Sequence, residues 1–359
     1  MKRLQALFLG LLLAGCASDP LARLETTTPT LTAAQVATLQ RRAQSPEALG
    51  IEARLTPVSV AFGGVNQLDA TGEATVPLVK FPRTAAREAG EEYRLPVILA
   101  KVNGRDHVRV LLDSGSNRNL LGYTLANALD VPIVAGVKPM TGLGIGGAAE
   151  AYAGIVPQLD IGAVRMQRVV ALVGADAQAL GFTRGLFDNK QVMILGLNAL
   201  RGLSYVSIDY RAGTVTLAAS ETYTAGATAT FATRVPMWWD GDLPFVDVKL
   251  DAKKVRPCIV DTGGDYGFLV PRAVARELGY WKPGKERLNT AGGIGGASLG
   301  TSYTIREATL GGATFKQIRS RTDLVGPEPA GGRLLLGNAV LRQYRVTFDF
   351  RQGLLWLER

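Results

Sequence analysis

Histidine is almost missing from this chain: its 359 residues include one, His107. A histidine-rich zinc site is thereby excluded, and a serine–histidine triad would rest wholly on that residue, which stands just past a predicted turn and reads as solvated. Cysteine is scarce as well, with only Cys16 and Cys258. Residues 4–13 form an apolar run, but it is too short to span a bilayer comfortably. The formal charge of +9 is scattered, and no basic run carries interleaved aromatics. Nucleic acid is therefore not an expected partner, and weak attraction to anionic surfaces is the plainer reading of the charge.

What is present suits a packed, turn-rich protein. Hydrophobic residues make up 47% and charged residues 20%, while 42 glycines and 17 prolines supply many turns and point to β-rich architecture. The length favours two domains or lobes over one.

The N-terminus reads as a targeting segment. Lys2 and Arg3 precede the apolar run, which ends in Leu13-Ala14-Gly15-Cys16. That ending resembles the lipobox of bacterial lipoproteins. The resemblance implies cleavage before Cys16, acylation of its thiol and a charge of +7 once Lys2 and Arg3 leave. With Ala17 where Asp would signal inner-membrane retention, it implies a periplasm-facing envelope protein, lipid-anchored in the outer membrane. An ordinary secretory signal with an incidental cysteine is the alternative. Once Cys16 is lipidated, Cys258 has no partner for an intramolecular disulfide, and its apolar setting makes it an inert core residue. Behind Cys16, "TTTPTLT" reads as a tether, Thr32 and Gln35 open a short helix with a capping box, and "ATVPLVKF" reads as a strand adding to the first lobe. The expected division is signal peptide 1–15, tether and helix 16–50, strands plus first lobe 51–222, and second lobe 223–359. The segment before the first lobe could also cover a cleft as a built-in inhibitor.

The chain repeats itself. "LPVILAKVNGRDHVRVLLDSGS" (95–116) aligns without a gap with "LPFVDVKLDAKKVRPCIVDTGG" (243–264) at an offset of 148. "GIGG" occurs at 144–147 and again at 293–296, and 194–217 matches 335–357 with one gap. The chain reads as a duplication of a unit of roughly 120–130 residues, in which Asp113 is the counterpart of Asp261. In each copy a strand pair turns, at Asn103-Gly104 or Asp251-Ala252, and a strand then delivers the aspartate. Short helices come next around "GYTLANAL" or "PRAVAREL", and later around "NALRG" or "NAVLRQ". Asp209 and Asp349, before Arg-x-Gly turns, read as structural.

An apolar strand ending in Asp-Ser/Thr-Gly resembles the active-site turn of aspartic proteases. The Gly-Ile-Gly-Gly hairpin resembles the flap of retropepsins, and apolar-apolar-Gly before the last helix resembles that fold's second motif. The resemblance covers roughly residues 94–217 and 243–357. It implies a mainly β protein of two retropepsin-like acid-protease lobes related by pseudo-twofold symmetry, with a few short helices, both lobes fused in one chain that acts as a monomer. It implies Asp113 and Asp261 as catalytic residues, with Ser114, Gly115, Thr262 and Gly263 forming the active-site turns, the two hydroxyls bonding across the lobe interface. Gly144, Ile145, Gly146 and Gly147, with Gly293, Ile294, Gly295 and Gly296, would form flaps that close over substrate. Asp265 matches a substrate-binding position of retropepsins. Asn117 and Arg118 depart from it, Arg118 being able either to bind substrate or to bias the ionisation of the aspartates.

The chemistry needs these residues. Two carboxylates held close cannot both ionise easily, so the pair shares one proton: the ionised member activates water and the protonated member polarises the scissile carbonyl. Gly115 and Gly263 would let the backbone turn tightly beside each carboxylate. No metal or organic cofactor is implied, and the expected partner is a polypeptide. "GLGIGG" (142–147) formally fits a dinucleotide-binding pattern, but its second copy reads as strand, which removes that reading. The expected activity is that of an aspartic endopeptidase; a non-catalytic peptide-binding or scaffolding lipoprotein of the same fold is the alternative.

Overall fold

The structure, a computed structural model, describes residues 30–50, 69–81, 93, 95–144, 147–176, 191–226, 232–284, 288–293, 296–325, 328 and 331–359. The described chain opens with α1 (Ala33–Arg41), capped by Thr32 and Gln35 in the reciprocal arrangement that the sequence predicts. Leu39 of α1 is buried, the Arg42 guanidinium donates to the Asn127 carbonyl, and Gln44 bridges to Val134. The described contacts of this segment are thus with the outside of the first lobe, and none that is described reaches the aspartates.

The first lobe comprises β1 (Asp69–Thr71), β2 (Glu73–Pro77), β3 (Val97–Val102), β4 (Arg105–Leu112), β5 (Asn119–Gly122), α2 (Tyr123–Ala128), β6 (Met140–Gly144), β7 (Gly147–Ile161), β8 (Val164–Gly174), β9 (Val192–Leu195), α3 (Leu197–Leu200), β10 (Tyr205–Asp209) and β11 (Thr214–Ala218). The second comprises β12 (Ala232–Pro236), β13 (Trp238–Asp240), β14 (Leu243–Leu250), β15 (Val255–Asp261), β16 (Phe268–Leu269), α4 (Arg272–Glu277), β17 (Leu288–Gly293), β18 (Gly296–Leu310), β19 (Ala313–Asp323), β20 (Leu334–Gly337), α5 (Asn338–Leu341), β21 (Arg345–Asp349) and β22 (Leu354–Glu358). Among the described residues no helix is long and apolar enough to cross a membrane.

Each lobe has an eight-stranded sheet, and seven strands of each correspond; the eighth differs, β1 pairing with β8 and β13 with β14. The hairpin β3–β4 matches β14–β15, and both turn through two residues of positive φ, Asn103 and Gly104 in one, Asp251 and Ala252 in the other. The parallel pair β4–β9 matches β15–β20. The hairpin β7–β8 matches β18–β19, and in each lobe the longer hairpin folds back onto β3 or β14. β9 and β20 lie between neighbours on both sides and are buried along their whole length, which is why "VMIL" and "LLLG" show no polar alternation.

A third sheet, of six strands, joins the lobes in the order β12-β22-β21-β10-β11-β2. Its centre is the antiparallel pair β10–β21, with Tyr205 opposite Asp349 and Asp209 opposite Arg345. The side chains interlock there: Thr347 Oγ1 donates to Ser207 Oγ at 2.8 Å, and Arg345 pairs with Asp209 at 2.8 Å. The strand expected from "ATVPLVKF" forms as β2, but it pairs with β11 and so becomes the edge of this joining sheet. One continuous apolar core runs from β2–β11 through β10 and β21 into the second lobe. Phe348, on β21, is 2% exposed within that core. Phe348→Ala should therefore lower stability by about 3–5 kcal/mol. Urea denaturation should show both lobes losing structure in one shifted transition; a second, separate transition for the first lobe would contradict joint stabilisation through this sheet.

Candidate active site

β4 and β15 lead into Asp113 and Asp261, each beside a fully buried neighbouring strand. The Asp113 amide donates to the Leu195 carbonyl at 2.9 Å, and Asp261 lies opposite Gly337 in the parallel register. The loops behind these two residues meet across the lobe interface. Ser114 Oγ donates to the Val260 carbonyl at 2.7 Å and accepts from the Thr262 amide at 3.1 Å. Thr262 Oγ1 donates to the Leu112 carbonyl at 2.7 Å and accepts from the Ser114 amide at 3.0 Å. The four bonds satisfy both hydroxyls and four backbone groups, all buried. Serine in one loop and threonine in the other serve alike, because the reciprocal bonds use only the hydroxyl.

These bonds place the two carboxyls together. Asp113 and Asp261 act directly on each other's ionisation and are 6% and 4% exposed. Asp113 Oδ1 also accepts from the Gly115 and Ser116 amides at 2.9 and 3.1 Å, and Asp261 Oδ1 from the Gly263 amide at 2.9 Å. Burial pushes the Asp113 carboxyl well above the usual carboxylate range, and the neighbouring Asp261 charge pushes it further. Burial also raises Asp261, against hydrogen bonds from Tyr266, Gly263 and Asp113 that favour its ionised form.

Gly115 and Gly263 lie in the turns expected of them and have a further physical role. Neither takes a positive φ. A Cβ on Gly115 would overlap the Asp261 carboxyl, and one on Gly263 would overlap the Asp113 carboxyl. Each glycine is the space into which the opposite aspartate fits.

A family model described as aspartyl protease matches residues 98–199, a segment that lies within the first lobe and includes Asp113. That match agrees with the resemblance of the Asp113 turn to those of aspartic proteases. Among solved structures it is similar to a retropepsin-like aspartic protease from Rickettsia conorii, 18% identical over 36% of this chain and 90% of that one, with a TM-score of 0.28. No curated protein matches it.

The remaining expected site residues fall in different settings. The flap hairpins form, with Gly144 opposite Gly147 and Gly293 opposite Gly296 at their tips; Ile145, Gly146, Ile294 and Gly295 lie outside the described residues. Arg118 is engaged by Asp242 at 3.0 Å, an ion pair that ties the first lobe to the turn between β13 and β14. Arg201 meets the same carboxylate at 3.6 Å and lies over the Trp239 ring. Asp265 pairs with Arg342 at 3.8 Å. The Asn117 carbonyl accepts from Arg118 at 2.8 Å. These three residues therefore take part in bracing the loops and the interface.

Three residues outside the sequence-based expectations support the loops. Asn338 donates from Nδ2 to the Thr262 carbonyl at 2.9 Å and accepts the Tyr210 hydroxyl at 2.5 Å, so a side chain of the first lobe steadies the second lobe's loop. Asn119 accepts from the Gly196 amide at 2.7 Å. Tyr266 donates its hydroxyl to Asp261 Oδ2. The only trace of them in the sequence is where the copies differ: Asn338 aligns with Leu197, Tyr210 with Phe350, and Tyr266 with Arg118.

Because both carboxyls are raised, their protonated form stabilises the fold below the usual carboxylate range, and that contribution is lost as pH rises through the raised values. Asp113→Asn, which needs no proton to be buried uncharged, should gain over the unaltered chain at neutral pH by a few degrees in Tm. The gain should vanish toward about pH 3, where both aspartates are protonated. Thermal unfolding across that range checks this; a gain constant with pH would contradict it.

Proposed function

We propose that this chain is an aspartic endopeptidase that hydrolyses peptide bonds with a water molecule activated between Asp113 and Asp261. The observation that carries the reading is the convergence of two buried carboxyls, each seated against the other loop's glycine. The pair holds one proton at working pH, since two adjacent buried charges repel.

In the reaction, the ionised aspartate takes a proton from the water as its oxygen bonds to the scissile carbonyl carbon. The protonated aspartate gives its proton to the carbonyl oxygen. The resulting gem-diol returns one hydroxyl proton to an aspartate, the amide nitrogen takes the other aspartate's proton, and the C–N bond breaks to leave a carboxylic acid and an amine. The flaps built on β6–β7 and β17–β18 would exclude bulk water from this step on closing. The substrate is a polypeptide, as the family implies.

Asp113→Ala and Asp261→Ala should each lower cleavage of an unfolded protein by about 10³-fold or more, since each removes half of a shared-proton pair. A pepstatin-type inhibitor should block the unaltered chain. Near-normal turnover in either variant would refute the mechanism, and no cleavage by a folded, unaltered chain would leave a peptide-binding protein of the same fold.

Anchoring in the bacterial envelope through a lipid on Cys16 is the second part of the proposal, and it rests on Leu13-Ala14-Gly15-Cys16. Cys16→Ala should move the chain from the membrane fraction to the soluble fraction on cell fractionation; unchanged membrane association would refute lipid anchoring.

A further inference from the structure

The two loops share a scaffold but differ in the residues just beyond each aspartate. In the first loop the third residue after Asp113 is Ser116, whose hydroxyl turns to the Arg118 carbonyl at 2.8 Å. The fifth is Arg118, engaged by Asp242. In the second loop the corresponding residues are Gly264 and Tyr266. The Tyr266 ring folds back over Gly264, so that a Cβ there would overlap Cζ, Cε1 and Oη of the ring. The ring packs against Phe245, Ile259, Leu269 and Leu335, and its hydroxyl reaches Asp261 Oδ2.

The oxygen that receives the hydroxyl matters. Asp261 Oδ1 is the atom that accepts from the Gly263 amide and lies beside Gly115, so it faces the other loop. Oδ2 is its second oxygen. The donors described on Asp113 are backbone amides, both on Oδ1. A phenol has one proton to donate, and a carboxylate accepts it better than a carboxylic acid does. The carboxylate oxygen keeps a second lone pair for water.

Resting on the proposed dyad chemistry, we infer that Tyr266 is a positioning residue that breaks the twofold equivalence of the pair, holding Asp261 as the ionised general base and leaving the shared proton on Asp113. Gly264 is part of the device, because only a residue without a side chain lets the ring lie down onto Asp261. The phenol itself stays protonated, since burial and the facing Asp261 charge both push its ionisation up. The other titratable groups that act on the ring are Asp113 and Asp323, the latter on β19 and paired with Arg321. Cys258, on β15, has its thiol pushed up by burial and then further by the Asp261 charge.

The experiment compares the full chain with Tyr266→Phe, Gly264→Ala, Asp261→Asn and Tyr266→Phe/Asp261→Asn, following Tm against pH. This readout senses titration of the aspartates whether or not the protein cleaves anything. Tyr266→Phe should move the midpoint of the acid-to-neutral loss of stability upward by on the order of one pH unit. Gly264→Ala should move it the same way with the phenol still present, which covers the case in which Tyr266→Phe fails to fold. With Asp261→Asn in place, removing the hydroxyl should move nothing further. A uniform fall in Tm with the midpoint unmoved would reduce Tyr266 to a packing residue and overturn the inference. In the cleavage assay, the acid limb of the kcat/KM profile should shift upward with Tyr266→Phe by a similar amount. An unaltered chain that does not cleave refutes the proposed activity, while the Tm profiles still decide the role of Tyr266.

Discussion

Ser114 and Thr262 each place a hydroxyl in the other lobe's loop, where it accepts one amide proton and donates to one carbonyl. A hydroxyl can do both at once, and few other side chains of that size can. Because the bonds are reciprocal and buried, neither loop can shift without leaving polar groups of both loops unpaired. That restraint is what holds two buried carboxyls together against their repulsion. Without it the lobes could part, water could enter, and the two aspartates would be ordinary surface acids.

The six-stranded sheet serves the same end at longer range. β10 and β21 come from different halves of the chain yet pair in register over five residues each. The core crosses this sheet unbroken, so the relative position of the lobes is set by packing as well as by the loops. Around the dyad, charged side chains do similar work: Arg118 and Arg201 converge on Asp242 of the second lobe, and Arg342 meets Asp265. Where symmetry would place like with like, the chain uses Tyr210 with Asn338 on one side and aligns the apolar Phe350 and Leu197 on the other. Pseudo-symmetry thus supplies the frame, and departures from it distinguish one aspartate from the other.

Much of this is legible without coordinates. The paired Asp-Ser/Thr-Gly turns, the Gly-Ile-Gly-Gly hairpins and the short helices beyond them are local patterns, and their recurrence at nearly constant spacing makes each one far more specific than it is alone. Local pattern assigns Gly115 and Gly263 to tight turns, where they do lie, but it does not show what else fixes them. The further constraint is an opposing carboxyl from a residue far along the chain, which no local pattern reveals. The ion pairs of Arg118 and Asp265 are hidden for a like reason: their partners, Asp242 and Arg342, lie well apart from them in sequence.

The sequence by itself determined that two similar β units would each bring an aspartate to the end of a buried strand, because alternation, glycine turns and repetition are properties of short stretches. Only the tertiary structure decided that each acid is seated against the other's loop, that the lobes are stitched by a common sheet, and that a phenol rests on one carboxyl and not the other. Those outcomes depend on which distant atoms come within bonding range, and that is set by packing across the lobe interface.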